Sequence, residues 1–149
     1  MGYKKMVNSL GFADLALASS LKHNRSLQLM KKLDKAIDWS RVGSILLSHY
    51  SVGTSGEGAD AYPPILLFKC MLLQKWFRIN SDPELENQIN DRLSFKKFLN
   101  LSLSKPSPDH STFSRFRNRL SKNAMDQINS EILRQFEAKG LKILRVATV

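Results

Sequence analysis

From residue 27 onward, apolar positions recur at the spacing of an amphipathic helix. Leu27, Met30, Leu33 and Ile37 fall three and four residues apart and predict a first helix. A second is expected from about Arg41 to Tyr50, with Ile45 and Leu46 facing inward. Pro63-Pro64 opens a third, running to about Ile79, because a proline in the first turn lacks only an N–H that has no intrahelical partner there. Ser81-Asp-Pro-Glu84 is a start signal: a capping box with proline in the first turn and acids at the positive end of the helix dipole. That helix should reach about Arg92, and Phe95 to Leu99 begins a short one. Ser104-Lys-Pro-Ser-Pro108 is a linker, since two prolines exclude continuous helix. Asp109 or Ser111 caps the next helix, which ends near Ser121. Asn123 to Lys139 forms another, stopped by Gly140. Leu141 to Val149 changes to a strand-like pattern without a second strand to pair with.

The expected fold class is therefore all-α: a multi-helix domain over residues 26–139, ending in an orphan β-strand. Residues 1–25 are expected as a flexible or weakly helical arm, and Ser51 to Asp60, with three glycines, as a surface loop. The helices at 81–92, 95–99 and 110–121 suggest a helix-turn-helix-like unit, with an unusually long connection through Pro106 and Pro108.

Composition adds a direction. The 149 residues suit one domain, and 42% hydrophobic with 24% charged residues is a globular balance. Twenty-three Lys and Arg against 13 Asp and Glu give a net charge of +10, which points to a polyanionic partner, nucleic acid ahead of a membrane surface. The most apolar run, Ile65 to Phe77, is interrupted by Lys69, Gln74 and Lys75 and is far shorter than the ~20 residues of a membrane span. A single cysteine, Cys70, and no signal-peptide pattern suggest the cytoplasm. The charge is uneven: residues 1–50 and 105–149 are each net positive, while 51–104 are balanced.

The stretch Pro108-Asp-His-Ser-Thr-Phe-Ser-Arg-Phe-Arg-Asn-Arg-Leu120 is the most informative. On a helix, Phe113, Phe116 and Leu120 share one face and should pack inward. Arg115, Arg119 and Lys122 share another, with Ser114, Arg117 and Asn118 between them. Arg and Lys neutralise phosphates, and Arg and Asn can pair with base edges. Two readings stand: a DNA-contacting face, or the solvated basic side of an ordinary helix. His110, at the helix start, fits a first-turn or phosphate contact. Phe68, Trp76, Phe77, Phe95 and Phe98 fit a core better than a stacking platform, and Cys70 fits a core residue better than a nucleophile. His23 and His49 stand alone; no metal-ligand spacing and no phosphate-binding glycine loop occurs.

Four ordered motifs resemble the N-terminal domain of bacterial insertion-sequence transposases of the InsH type. They are Tyr62-Pro-Pro-Ile-Leu-Leu-Phe-Lys-Cys-Met-Leu-Leu-Gln-Lys-Trp-Phe77, Ser81-Asp-Pro-Glu-Leu-Glu86, Asp91-Arg-Leu-Ser-Phe-Lys-Lys-Phe-Leu-Asn-Leu101 and the 108–120 stretch. Ala36-Ile-Asp-Trp39 also fits. The resemblance implies a helical domain that binds the double-stranded DNA of the element's terminal inverted repeats. It also implies self-association or assembly with the full-length transposase. In that family a ribonuclease H-like domain follows, whose Asp, Asp, Glu triad holds divalent metal, Mg, for in-line displacement at phosphorus. Here all 13 acids precede position 138, and Leu141 to Val149 holds none where the first catalytic Asp would stand. The resemblance thus implies residues 140–149 as the start of a truncated catalytic domain, through a frameshift, a stop or a split frame. It further implies no catalytic residue, no cofactor in this chain and no strand transfer by it alone. His110, Ser114, Arg115, Arg117, Asn118, Arg119 and Lys122 are the expected DNA-contacting residues. The competing reading is an assembly module built on the apolar 63–79 helix, inhibitory towards the full-length enzyme.

Overall fold

A computed structural model describes residues 2–4, 25–50 and 61–140. The expected strand over 141–149, the glycine-rich loop and most of the N-terminal arm lie outside the described residues. The described residues form seven helices: α1 (Arg25–Ala36), α2 (Trp39–His49), α3 (Pro64–Trp76), α4 (Asp82–Asp91), α5 (Leu93–Phe98), α6 (His110–Arg119) and α7 (Lys122–Ala138). Extended pairing among them is confined to one bridge, Tyr3 with Ala61.

The starts follow the side chains that satisfy free N–H groups. Asp38, Ser81, Asp109 and Ser121 accept from the backbone N–H of Ser40, Glu84, Thr112 and Ala124. Between the two candidates for α6, Asp109 is the cap. Its carboxylate also accepts from the Ser111 and Thr112 hydroxyls, and these donors hold its pKa down at about 2.

The ends carry a less expected device. Ile79 donates to the Gln74 carbonyl and Arg78 to that of Lys75, while Leu101 and Asn100 make the same pair of bonds to Lys96 and Lys97. Each pair closes a helix through one left-handed residue, Arg78 (φ 52°) or Asn100 (φ 57°). Gly140 (φ 70°) does this after α7, as its position suggests. An arginine in the left-handed region costs about 1–2 kcal/mol. The turn it makes ends α3 at Trp76 rather than near Ile79, buries Ile79 and brings Phe77 to 4.9 Å from Phe95.

The hub is α3, in which Leu66, Leu67, Phe68, Cys70, Met71, Leu72 and Leu73 are all buried. A helix apolar on nearly every side belongs at the centre of a core. It packs against α2 and α6; α4 packs against α5 and α6, α1 against α5, and α2 against α7. Phe68, Phe95, Phe113 and Phe116 are fully buried, and Tyr50 meets Phe116 edge-on at 5.0 Å. Trp76 and Phe77 are half-buried against the same core. Cys70 is a sealed core residue whose thiol is pushed up by burial, so it is no nucleophile.

Charged and polar side chains fasten the periphery. Gln135 Oε1 accepts from the Asp38 N–H at 2.6 Å, and Lys139 Nζ donates to the Ala36 carbonyl at 2.8 Å, tying the end of α7 to the α1–α2 turn. Buried Lys96 donates to the carbonyls of Leu103 and Lys105 and holds the segment leading to α6. Lys69 lies over the rings of Trp39 and Phe98, and Arg92 over those of Phe95 and Phe77. Cations engaged in this way have their donors or their faces committed to the fold and are less free to grip a partner.

Candidate nucleic-acid interface

Helix α6 turns about 100° per residue. That rotation divides its residues into three lanes. Phe113 and Phe116, with Leu120 just beyond, form the buried lane, as their spacing predicts. His110, Ser114 and Arg117 form the second, which faces α3 and α4. Ser111, Arg115, Asn118 and Arg119 form the third, which faces outward.

The second lane is occupied by the protein itself. Arg117 grips Asp82, the first residue of α4, with both arms of its guanidinium, at 2.8 and 3.0 Å. It also donates to Gln74 Oε1 of α3 at 2.8 Å. The same carboxylate accepts from Ser114 Oγ at 2.9 Å and from Gln74 Nε2 at 3.1 Å. Arg117 first, then Gln74 and Ser114, hold the Asp82 pKa down at about 2, against the opposing effect of burial. At the start of the helix, Glu86 Oε1 accepts from the His110 backbone N–H at 2.8 Å and faces Nδ1 at 2.9 Å. A carboxylate in that place requires the ring proton on Nδ1. The structure therefore turns His110, Ser114 and Arg117 toward α4. Arg117 keeps 44% of its side chain exposed, so an incoming phosphate would compete with Asp82 for it.

The third lane is open. Arg115, Asn118 and Arg119 are exposed, and so is Lys122, which begins α7 after the break at Leu120 and Ser121. Arg115 donates to Ser111 Oγ and Thr112 Oγ1, each at 3.3 Å within its own helix. Asn118, Arg119 and Lys122 have no side-chain partner among the described residues. The clamp on α4 fixes the rotation of α6 about its axis, which fixes where this lane points. Next to Arg117, an open groove of about 620 Å³ between the end of α3, α6 and α7 is lined by Lys75 and Arg78 as well as apolar Met71 and Met125.

Helices α4, α5 and α6 form the three-helix arrangement anticipated for a helix-turn-helix-like unit only loosely. Arg92 alone separates α4 from α5, whereas a long segment from Leu99 to Asp109 leads into α6.

A family model described as Transposase domain (DUF772) matches residues 18–119. The chain belongs to that transposase domain family. The matched span covers α1 to α6 of this transposase domain and closes on Arg119, so both the clamp and most of the open lane fall inside it. Nothing among curated proteins or solved structures matches the chain.

Several of the described acids are engaged by the fold. Asp82 and Glu86 serve the clamp, Asp109 caps α6, and Glu131 of α7 pairs with Arg134 at 2.6 Å, which first among its partners holds its pKa down at about 2. Among the described residues no three His, Cys, Asp or Glu come together as metal ligands, and His49 meets only Gln127, at 3.1 Å. The described residues do not assemble a metal triad. Among the described residues no helix is long and apolar enough to cross a membrane.

Sequence reasoning passed over Asp82 and Gln74 as partners of Arg117, and over the cations of α1: Arg25, Lys31, Lys32 and Lys35. The positive charge of the first fifty residues was a signal for α1. No local signal exists for the clamp, whose members lie up to 43 positions apart.

Proposed function

We propose that this domain binds double-stranded DNA in transposition, presenting the outward lane of α6 to the terminal inverted repeats of an insertion element. The observation that supports this reading most is that Arg115, Asn118 and Arg119 share one exposed row on a helix whose rotation is locked from the other side, with exposed Lys122 at the start of the next helix. A fixed helix has little backbone order left to lose on docking, and Arg with Asn is the pairing that reads guanine and adenine edges in a major groove. His110, Ser114 and Arg117 act behind the lane as positioning residues. In this reading the domain is the N-terminal, non-catalytic part of an InsH-type Asp, Asp, Glu transposase, whose divalent metal is held by another part of the enzyme.

The assembly reading has less support. It depends on the apolar surface of the 63–79 helix, and that surface is consumed inside the domain's own core. Self-association or association with a full-length transposase would need another face.

The test is affinity across a salt series for a duplex carrying the terminal repeat and for a scrambled duplex of equal length. Tighter binding to the repeat is expected, with log affinity falling by about 0.9 per neutralised phosphate for each unit of log salt. Equal affinity for both duplexes would remove sequence recognition, and no binding at low salt would remove the DNA reading.

A further inference from the structure

A second row of cations lies on α1. Arg25, Lys31, Lys32 and Lys35 are all exposed, and at 100° per residue they fall within an arc of about 120° together with Gln28. None of the four has a side-chain partner among the described residues. The helix beneath them is held firmly. Leu27 and Met30 are buried and Leu33 is half-buried on its inner face, against α5. Its one acid, Asp34, accepts from Trp39 Nε1 at 2.6 Å and pairs with Lys69 at 3.3 Å. Exposed Lys139 docks on the carbonyls of Lys35 and Ala36 and adds a further cation at the helix's C-terminal end.

We propose that this face of α1 is a second DNA-contacting surface, one that holds the phosphate backbone without reading sequence. The inference rests on the DNA-binding reading of the domain but concerns a different face. Charge complementarity selects the occupant: four cations with the helix's only acid already engaged suit a polyanion. Lysine dominates, and its ammonium is a compact point charge that neutralises phosphate rather than a planar fork that selects a base. An anionic membrane is the weaker match, because an interfacial helix must insert its apolar face, and that of α1 is buried against α5. Of the two cationic rows, α6 then specifies and α1 anchors.

The experiment replaces Lys31→Gln, Lys32→Gln and Lys35→Gln together in the full chain and repeats the salt series on the repeat and scrambled duplexes. Affinity for both should fall by the same factor, roughly tenfold or more at moderate salt, leaving their ratio unchanged. The slope of log affinity against log salt should become shallower by about 0.9 for each phosphate no longer neutralised. Circular dichroism should be unchanged, and a triple Lys→Arg variant, which keeps the charge, should bind as the wild type does. If the Gln variant loses helicity, Lys32→Glu alone is read instead and should lower both affinities equally. An unchanged slope, a selective loss on the repeat, or failure of the Arg variant to bind overturns the proposal. So does binding to phosphatidylserine vesicles that is lost in the Gln variant while its DNA slope is unaltered. Failure of the wild type to bind either duplex would instead overturn the reading on which this one rests.

Discussion

Two lanes of one helix carry almost the same residue types and are put to opposite uses. On the inner side of α6, His110, Ser114 and Arg117 meet Glu86, Asp82 and Gln74, and their hydrogen-bonding capacity goes into holding three helices together. On the outer side, Arg115, Asn118 and Arg119 meet solvent or their own helix. Arg117 and Arg119 are two residues apart, which on a helix is about 200°, enough to put one against a carboxylate and leave the other free for a partner. An arginine's role here is decided by which lane it occupies.

The largest effect expected is one that removes both lanes at once. Phe116→Ala deletes a fully buried ring that packs on Tyr50 and should destabilise the domain by about 3–5 kcal/mol in urea or thermal unfolding. DNA binding should be lost with the fold, not selectively.

Next, Arg115→Ala with Arg119→Ala should weaken binding to the repeat by about 1–3 kcal/mol for each arginine that reads a base, while the unfolding midpoint stays where it is. A clear loss of stability, with affinity unchanged, would make the outer lane structural and collapse the contrast.

Asp82→Ala is the mirror experiment. It removes the carboxylate that Arg117 and Ser114 share, leaves Arg117 its bond to Gln74, and should cost roughly 1–2 kcal/mol of stability, the value for charged hydrogen bonds discounted for the exposed part of Arg117. Affinity per folded molecule for the scrambled duplex should hold or rise, since Arg117 is freed and an acid is gone. Discrimination between repeat and scrambled duplex should fall as α6 loses its fixed rotation.

The smallest effect is in pH. The Asp82 carboxyl titrates near 2 in the fold against an ordinary value of 3.8, so the folded state binds the proton less readily than the unfolded one. Its contribution is therefore complete above about pH 4 and is lost as pH falls towards 2. Asp82→Asn should flatten the acid limb of the stability curve in that window, whereas Arg115→Ala should affect it far less.

The capping box at Ser81, the prolines and the apolar periods made most of the helix starts and the all-α class legible, because those signals act within a few residues of one another. The end of α3 was not. Arginine gives no hint of a left-handed backbone, and only the burial of Ile79 and the packing of Phe77 on Phe95 offset its cost. Helix spacing separated the buried face of α6 from its polar residues but did not divide those polar residues into two lanes. Spacing placed Ser114, Arg117 and Asn118 between the outer arginines, without revealing that Asp82 lay within reach of two of them. The lysines of α1 were visible as a surplus of charge over residues 1–50, not as a surface.

The sequence by itself determined where helices start, which phenylalanines are buried, and that the domain carries more positive charge than its fold can neutralise. Those properties depend on local hydrogen bonding, on the periodicity of apolar side chains and on a count. Only the tertiary structure decided which cations remain available. Asp82 and Arg117, or Lys96 and the carbonyls it holds, become partners through packing that brings separate segments within 3 Å or so, where a charged hydrogen bond outcompetes water. A basic residue's neighbours along the chain do not reveal whether packing will bring it such a partner.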